Sequence, residues 1–393
     1  MIIYDVVVIG AGQAGLATAH ALQKKGLDFL ILETSERAVG SWPNYYDSLT
    51  LFSPARYSSL PELSFKGDLA RYPTRDEVVD YLERYAQHFA FPIQFNTRVT
   101  DIKRQDELFC LSTTKADYYA RAVVVASGAF HQPNIPNFKG LAQFKGQVLH
   151  SAAYRSPADV SGRRVAVVGA GNSALQIAYE LSATHDVILT SRVPPLFQQQ
   201  RILGQDIHFW LKWTGLDTGR LGKWLLGKET PVLDQGKYRQ AVETGQILYK
   251  SLFDNVTTDG LQWSETILPI DTLLLATGFS HLPNYINGLV EESSSEIIQQ
   301  KNGIATTIQG LYFVGMPWQR SHASATLRGV GEDARYVVQH LQQYLKSPRK
   351  THFRTYAVIA YLFTFQPFST VLCSQNALIA EQCVSLDFLQ GCC

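Results

Sequence analysis

The chain has few cysteines, and most are poorly placed for cross-linking. Five occur among 393 residues, and all except Cys110 lie close to the carboxyl end of the sequence. This set includes no Cys-x-x-Cys pair and no framework that could staple the body of the chain. The scarcity predicts a fold held by an apolar core, and it argues against an enzyme that passes electrons through neighbouring cysteines.

An excess of either charge is missing as well. Lys and Arg number 35 and Asp and Glu number 34, so no polyanion-binding surface is indicated and nucleic acid is excluded as an expected partner. The balance favours a small-molecule ligand. The first apolar strand follows Met1 almost at once, which leaves no room for a signal peptide, and we therefore predict a cytoplasmic protein.

Signatures of nucleophilic and metal catalysis are also lacking. The sequence has no Gly-x-Ser-x-Gly elbow, and its histidines and cysteines do not cluster at metal-ligand spacings. We therefore predict no metal site and name no catalytic side chain. The chemistry is expected to come from bound cofactors.

What the chain does contain is a glycine-rich turn near its start. Residues 4–16, YDVVVIGAGQAGL, form an apolar run followed by GAGQAG and a helix-compatible segment. Gly10 permits the tight turn, Gly12 admits a pyrophosphate against the backbone, and Gly15 lets helix and strand pack closely. Because the helix then points its amino terminus at the anion, this stretch predicts a dinucleotide site.

The same pattern occurs a second time, in residues 163–175, RRVAVVGAGNSAL. After each turn a further strand is predicted, and it ends at Glu33 in the first case and at Ser191 and Arg192 in the second. A carboxylate suits the free ribose hydroxyls of FAD, whereas arginine suits the 2′-phosphate of NADPH. We predict FAD at the first turn and NADPH at the second; a solvated loop charge is the alternative for Arg192.

The remaining pattern favours an α/β fold. Apolar runs at 118–125, 272–279 and 311–315 each end near glycine, and a capping box of Thr74 and Glu77 starts a helix within 72–89. Further strands are predicted at 29–32, 95–102 and 109–113, and a loop lining a site is predicted at 38–61. A partly helical stretch that carries Trp210, Trp213 and Trp224 is interpreted as covering the second nucleotide domain. At 328–338 a glycine-rich turn is predicted to open a helix. We predict two Rossmann-like, three-layer domains that bind FAD and NAD(P), with the second inserted in the first.

The predicted domain boundaries follow from this order. Residues 1–150 form the first part of the FAD domain, and 151–283 form the NADPH domain with its helical insertion. Residues 284–348 return to the FAD domain, and 349–393 form an apolar, cysteine-containing tail.

Between the two turns lies a stretch that resembles a known family. Residues 144–154, FKGQVLHSAAY, match the FxGxxxHxxx(Y/F) motif of the flavin-containing monooxygenases. Tyr154 at the last position favours this family over the related Baeyer-Villiger enzymes, which usually carry tryptophan there. GSWPNYYDSLTLFSPARYSSLP, ATGF and YFVGMPWQRSHASATLRGVGEDA are similar to the bacterial branch and to the plant YUCCA enzymes, and the resemblance covers roughly residues 3–346.

The resemblance implies which residues meet the cofactors. Together with the two turns it predicts contacts with FAD or NADPH for Gly10, Gly12, Gln13, Ala14, Gly15, Glu33, Ser41, Trp42, Val99, Gly128, Gly169, Gly171, Asn172, Ser173, Ala174, Ser191, Arg192, Thr277, Gly278 and Gly331. His150 is expected near the nicotinamide nucleotide, in an indirect role that links the two domains.

For the reaction, the resemblance implies that NADPH reduces FAD, that O2 adds to it, and that a C4a-hydroperoxyflavin oxygenates a small organic substrate at a soft heteroatom or a carbonyl. Phe52, Ser53 and His150 are the pocket candidates. Amine-oxidising relatives carry asparagine near the flavin where Phe52 aligns, which disfavours amine N-oxidation. The aromatic residues of the loop, Trp42, Tyr45, Tyr46 and Phe52, are expected to exclude water or, alternatively, to pack in the core.

Two other functions stay open. One is an FAD-dependent reductase of disulfides or metal ions, in which the adjacent Cys392 and Cys393 could ligate a soft metal but have no internal dithiol as electron donor. The other is a non-catalytic flavin-binding partner of a transporter. For the tail, packing against the body of the enzyme is favoured over membrane association, because Gln366 and Pro367 interrupt its apolar run, and disorder is the remaining alternative. The oligomeric state is not predicted.

Overall fold

The computed structural model describes residues 2–128, 130, 132–216, 231–280, 283–289 and 299–347. The strands, in chain order, are β1 (Ile3–Ile9), β2 (Phe29–Leu32), β3 (Ile93–Gln94), β4 (Val99–Gln105), β5 (Leu108–Thr113), β6 (Tyr118–Val125), β7 (Gln147–His150), β8 (Arg164–Val168), β9 (Asp186–Ser191), β10 (Phe197–Gln199), β11 (Arg201–Ile202), β12 (Gln205–Asp206), β13 (Val232–Asp234), β14 (Ile247–Ser251), β15 (Asn255–Val256), β16 (Gly260–Trp263), β17 (Thr266–Pro269), β18 (Thr272–Leu275), β19 (Gln300–Lys301), β20 (Ile304–Ala305) and β21 (Leu311–Phe313). The helices are α1 (Gln13–Lys24), α2 (Arg75–Phe89), α3 (Asn172–Leu181), α4 (Ile207–Thr214), α5 (Lys237–Glu243) and α6 (Leu327–Lys346).

The first sheet is built around β1. Its strands run in the order β19-β20-β21-β6-β1-β2-β3, with parallel pairing from β21 to β3, and the β4-β5 hairpin joins it through β5 and β6. Val6, Val7 and Val8 are fully buried, which is typical of a parallel strand covered on both faces. Helices α1 and α6 pack together and share one core cluster that includes Leu16 and Leu341.

The second sheet interrupts the first. It has the order β14-β9-β8-β18-β7, and all of its pairings are parallel. Its strands all fall between β6 and β19 in the chain, so the second Rossmann-like unit is inserted in the first. The predicted fold class is confirmed. The boundaries at 150 and 283 stay predictions, although β7 pairs in the second sheet.

Several predicted elements have the expected bounds. Strand β2 covers the predicted segment 29–32 and β6 covers 118–125. Thr74 caps α2, since its hydroxyl accepts the Glu77 N–H while the Glu77 carboxylate accepts the Thr74 N–H. Trp210 and Trp213 lie on α4. Residue 224 and the tail at 349–393 lie outside the described residues.

Two predicted elements differ from the structure. Strand β4 begins at Val99 rather than at residue 95, because Asn96 has a left-handed φ of 53° and the next amide, of Thr97, donates to the Glu33 carbonyl. The glycine-rich stretch at 328–338 is not a turn. It lies inside α6, which begins at Leu327. Over the part of the chain that the structure describes, no helix is both long and apolar enough to cross a membrane.

Candidate active site

The first glycine turn connects β1 to α1. Gly10 has a φ of 98°, and a Cβ on Gly15 would overlap the Gly10 carbonyl oxygen, so each position requires glycine for a separate reason. Gly12 caps α1 in an extended conformation. A Cβ there would stand 3.3 Å from the Cα of Gly40, so the turn is also in contact with the loop that follows β2.

The second glycine turn, between β8 and α3, is more open. Gly169 has a φ of 148°, and a Cβ on it would come within 3.1 Å of the Ala174 side chain. A Cβ on Gly171 would meet nothing within 4 Å. The amino terminus of α3, which starts at Asn172, therefore borders an unfilled space.

The residues expected to select the two riboses lie at equivalent strand ends. Glu33 follows β2, is buried, and accepts hydrogen bonds from Ala11 N–H at 2.5 Å and Ser35 N–H at 2.8 Å. Ser191 ends β9, and its hydroxyl donates to the Val193 carbonyl at 2.7 Å. Arg192 is exposed. The two units thus present opposite charges at the same place in the Rossmann pattern.

An open hollow lies between the two turns, and its empty space, open solvent included, is about 370 Å³. It is lined by Ser41, Asn44, Tyr45, Tyr46, Phe130, Ser151, Ala152, Ser173 and Phe279, none of which carries a formal charge. Ring contacts follow one another along it: Trp42 and Tyr45 have centroids 5.3 Å apart, and Tyr45 and Phe130 are 4.7 Å apart. Phe130 meets Phe279 at 4.6 Å. Burial raises the pKa of both Tyr45 and Tyr46, so their hydroxyls stay protonated.

A second open hollow, with about 300 Å³ of empty space including open solvent, lies at the carboxyl ends of β6 and β21. Gly128 lines it with a φ of 73°, beside Ser127, whose hydroxyl lies 2.7 Å from that of Tyr285. On its other side a Cβ at Gly315 would stand 2.7 Å from the Cβ of Ala14. This hollow is therefore next to the first glycine turn, at the strand ends where α/β sheets bind ligands.

His150 ends β7 and is buried. Its Nδ1 accepts the Ala152 N–H at 3.1 Å, so Nε2, 3.1 Å from the Gly278 carbonyl oxygen, carries the proton and donates. Burial lowers the pKa of His150, which favours this neutral form. Both hydrogen bonds stay within the second unit, so the expected link between the two domains is not made by these contacts. The ring faces Phe279 at 5.1 Å instead.

Phe52 and Ser53, predicted for the pocket, are not among the residues that line the first hollow. Ser53 is buried and its hydroxyl lies 2.8 Å from that of Ser58. The Phe52 ring stacks on His208 with centroids 6.1 Å apart. Phe52 thus contacts the insertion of the second unit, and Ser53 bonds within its own loop, rather than facing the space between the turns.

The other predicted cofactor residues are distributed around the two turns. Val99 is buried at the start of β4, which is tied to the end of β2. Thr277 and Gly278 follow β18, and the Thr277 hydroxyl donates to the Asn134 carbonyl at 2.6 Å. A Cβ on Gly331 would stand 2.7 Å from the Cγ of Pro61, so packing alone requires glycine there.

The residues present fit two dinucleotides. The Oε1 atom of Gln13, in the first turn of α1, is buried without a hydrogen-bond partner, although its Nε2 donates to the Ala325 carbonyl at 2.8 Å. Gly171 leaves space for a ligand against the backbone. Within the described ranges no three metal-ligating side chains meet, and the one cysteine, Cys110, is buried in β5.

Comparisons with known proteins agree with this geometry. A family model described as pyridine nucleotide-disulphide oxidoreductase matches residues 7–315. The chain belongs to this family. Within it, an uncharacterised CzcO-like oxidoreductase of Geobacillus kaustophilus is 36% identical over 86% of this chain and 98% of its own length.

Two further relatives place the chain in the flavin monooxygenase-like branch of the family. The probable indole-3-pyruvate monooxygenase YUCCA7 of Arabidopsis thaliana is 29% identical over 89% of this chain and 90% of its own length. A solved double mutant of the flavin monooxygenase of Stenotrophomonas maltophilia has a TM-score of 0.77 and 30% identity, over 88% of this chain and 99% of its own. The resemblance drawn from the sequence is confirmed. The chain is a flavin-dependent monooxygenase, with FAD and NADPH as cofactors.

Sequence reasoning missed several residues that line the hollow of this flavin monooxygenase-like chain. Phe130 and Phe279 were not singled out, although each comes shortly after an apolar strand that ends in a glycine turn. In an open parallel sheet, residues just after the strand ends border the ligand crevice, so their position in the sequence could have identified these two rings. Asn44, Ser151 and Ala152 gave no signal of their own.

Proposed function

We propose that the chain inserts one oxygen atom of O2 into a small organic substrate, at a soft heteroatom or a carbonyl, in the hollow between the two glycine turns. The observation that carries this proposal is the lining of that hollow. It borders Ser173 of the second turn and Ser41 beside the first, and its walls are aromatic and uncharged. FAD, once reduced by NADPH, supplies the activated oxygen, so the protein needs to bind, orient and exclude water.

The aromatic side chains exclude water from the hollow. Tyr45, Phe130 and Phe279 meet edge to face, an arrangement in which each ring pair contributes about 0.5–1.5 kcal/mol. Phe130 is nevertheless 43% exposed, so it forms the outer wall of the hollow. Substrate enters past this ring, and water is kept out while it is in place.

We assign each cofactor to a turn from the residues at the end of the strand that follows that turn. Glu33 at the first turn binds the ribose of FAD. At the second turn Ser191 and Arg192 bind the 2′-phosphate of NADPH, because an exposed guanidinium offers a planar fork of donors to that group. His150 keeps the wall near Phe279 in place through its two hydrogen bonds.

The test measures NADPH oxidation, O2 consumption and hydrogen peroxide together, with a thioether, a tertiary amine, a cyclic ketone and a 2-oxo acid. We expect one class to give a product that carries one atom of 18O from labelled O2 for each NADPH consumed, and the amine to be a poor substrate. The proposal is overturned if NADPH is consumed only when a disulfide or a metal ion is reduced, which would establish the reductase activity instead.

A further inference from the structure

A single carboxylate, that of Asp206, collects four hydrogen bonds in the insertion of the second unit. Its Oδ2 accepts from the Tyr72 hydroxyl at 2.5 Å and from Gln200 Nε2 at 2.7 Å. Its Oδ1 accepts the His208 backbone N–H at 2.9 Å and lies 2.6 Å from the Nδ1 of the same residue. Burial raises the pKa of Asp206, but the hydrogen bonds from His208, Tyr72 and Gln200 outweigh it and bring the pKa below its ordinary value. The carboxylate is therefore ionised.

The donors come from both units of the fold. Tyr72 precedes α2 in the first unit, whereas Gln200 and His208 belong to the insertion after β9. Gln200 Nε2 also donates to the Phe52 carbonyl at 3.1 Å. The His208 ring lies 6.1 Å from that of Phe52 and 6.2 Å from that of Tyr57, close to parallel with both. The Asp206 network therefore joins the insertion to the first unit at residues 52–57.

The same loop is held by the second unit at its other end. Arg155 Nη1 donates to the Pro43 carbonyl at 2.5 Å, and the Tyr46 hydroxyl donates to Gln176 Oε1 at 2.9 Å. Four residues that line the hollow between the turns, at positions 41 and 44–46, lie near this anchor. The Asp206 network is thus one of two anchors that fix this loop between the cofactor units.

We propose that Asp206 is a positioning residue, which acts with Tyr72 to hold the NADPH unit at the distance from which NADPH reduces FAD. A buried ionised group costs stability unless it is fully paired, and it is better suited to fixing one arrangement than to adding cohesion. This inference rests on the proposed function only in taking NADPH as the reductant of FAD. It does not depend on oxygen insertion.

The test uses the full-length protein with FAD bound. Tyr72→Phe removes one donor to the carboxylate and keeps the ring. The matched control is Tyr85→Phe, which removes a buried hydroxyl that donates to the Pro61 carbonyl at 2.8 Å within the first unit. The readout is the rate at which saturating NADPH reduces each bound flavin without oxygen. We expect Tyr72→Phe to slow it about tenfold, as befits a hydrogen bond to a charged group, with unchanged flavin content. The control keeps the wild-type rate.

A second series separates positioning from stability. Asp206→Asn keeps an oxygen for the His208 N–H, whereas Asp206→Ala keeps none, so the reduction rate should fall from wild type to the Asn variant to the Ala variant. Amide exchange at residues 52–57 should become faster in Tyr72→Phe and not in the control. The proposal is overturned if Tyr72→Phe is reduced at the wild-type rate, or if Tyr85→Phe is slowed equally. Should the Asp206 variants not fold, Tyr72→Phe alone decides. A wild-type protein that reduces its flavin but oxygenates nothing would overturn the proposed function and leave this comparison intact.

Discussion

Arg192 lies at the end of β9 with an exposed side chain, and among the described residues no hydrogen bond or ion pair engages its guanidinium. Replacement by alanine should therefore raise the KM for NADPH by about 10- to 150-fold, since a charged, bidentate contact contributes roughly 1.5–3 kcal/mol. The KM for NADH should not change. Arg163→Ala is the matched control, because that arginine pairs with Asp186 at the amino-terminal ends of β8 and β9, away from Arg192. Equal use of NADH and NADPH by the wild type would contradict the assignment.

Gly12 tests the first turn. Its φ of −80° is open to any residue, so Gly12→Ala introduces no backbone strain. The added methyl group would stand 3.3 Å from the Gly40 Cα and would occupy the side of the turn on which the pyrophosphate is expected. We expect purified Gly12→Ala to contain little FAD, as measured by visible absorbance per protein. Full flavin content in this variant would show that Gly12 does not contact the cofactor.

Phe130 tests the water-excluding wall. Phe130→Ala removes the ring that bridges Tyr45 and Phe279, so water should reach the activated oxygen and more of the NADPH consumed should appear as hydrogen peroxide. The measurement is the ratio of peroxide to NADPH, and we expect it to rise several-fold with little change in flavin content. Phe138→Ala, which breaks a ring pair with Phe253 elsewhere in the second unit, is the control. An equal rise of the peroxide-to-NADPH ratio in both variants would indicate that either substitution loosens the fold as a whole.

Among the elements, α2 offers a direct test of a prediction from sequence. Thr74→Ala removes the hydroxyl that accepts the Glu77 N–H, and loss of such a cap costs about 1 kcal/mol. We expect the free energy of unfolding in urea to fall by that amount. Thr266→Ala, on exposed strand β17, should change it less. An unchanged stability in Thr74→Ala would mean that packing, rather than the capping box, fixes the start of α2.

Elements with a local cause could be predicted from the sequence. Strand β6 ends in an apolar run at 122–125 that is buried on both faces, and the Thr74 capping box sets the start of α2, so both were placed correctly. The start of β4 depends on a hydrogen bond from Thr97 to Glu33, which is distant in sequence, and no local pattern reports it.

The residues of the candidate site likewise divide into those with a local cause and those whose position depends on distant partners. Gly10 and Gly169 indicate their turns in the sequence, because only glycine takes those φ values readily. Phe52 was expected at the pocket because of its place in the loop, but it stacks on His208, more than a hundred residues later in the chain. Which rings of an aromatic-rich loop face the hollow depends on partners that fold beside it, and sequence spacing does not reveal them.

For the whole molecule, every predicted cofactor residue lies before the end of α6. We therefore expect a chain truncated after Ser347 to retain FAD and to oxidise NADPH at the wild-type rate. Flavin absorbance and NADPH turnover per bound flavin are the measurements, with the full-length chain as the reference. Soluble truncated protein without FAD would show that residues 348–393 complete the flavin unit.

The insertion of one sheet in the other sets the order in which the parts can form on the ribosome. Strand β21 pairs with β6, and α6 packs on α1, yet both arrive only after the whole second sheet has been made. At roughly 5–20 residues per second, the part of β6 that pairs with β21, residues 123–125, keeps one edge unpaired for on the order of ten seconds or more while the NADPH unit emerges. We therefore expect the nascent chain to complete its second nucleotide unit before its first, which would make flavin capture a late event in its biosynthesis.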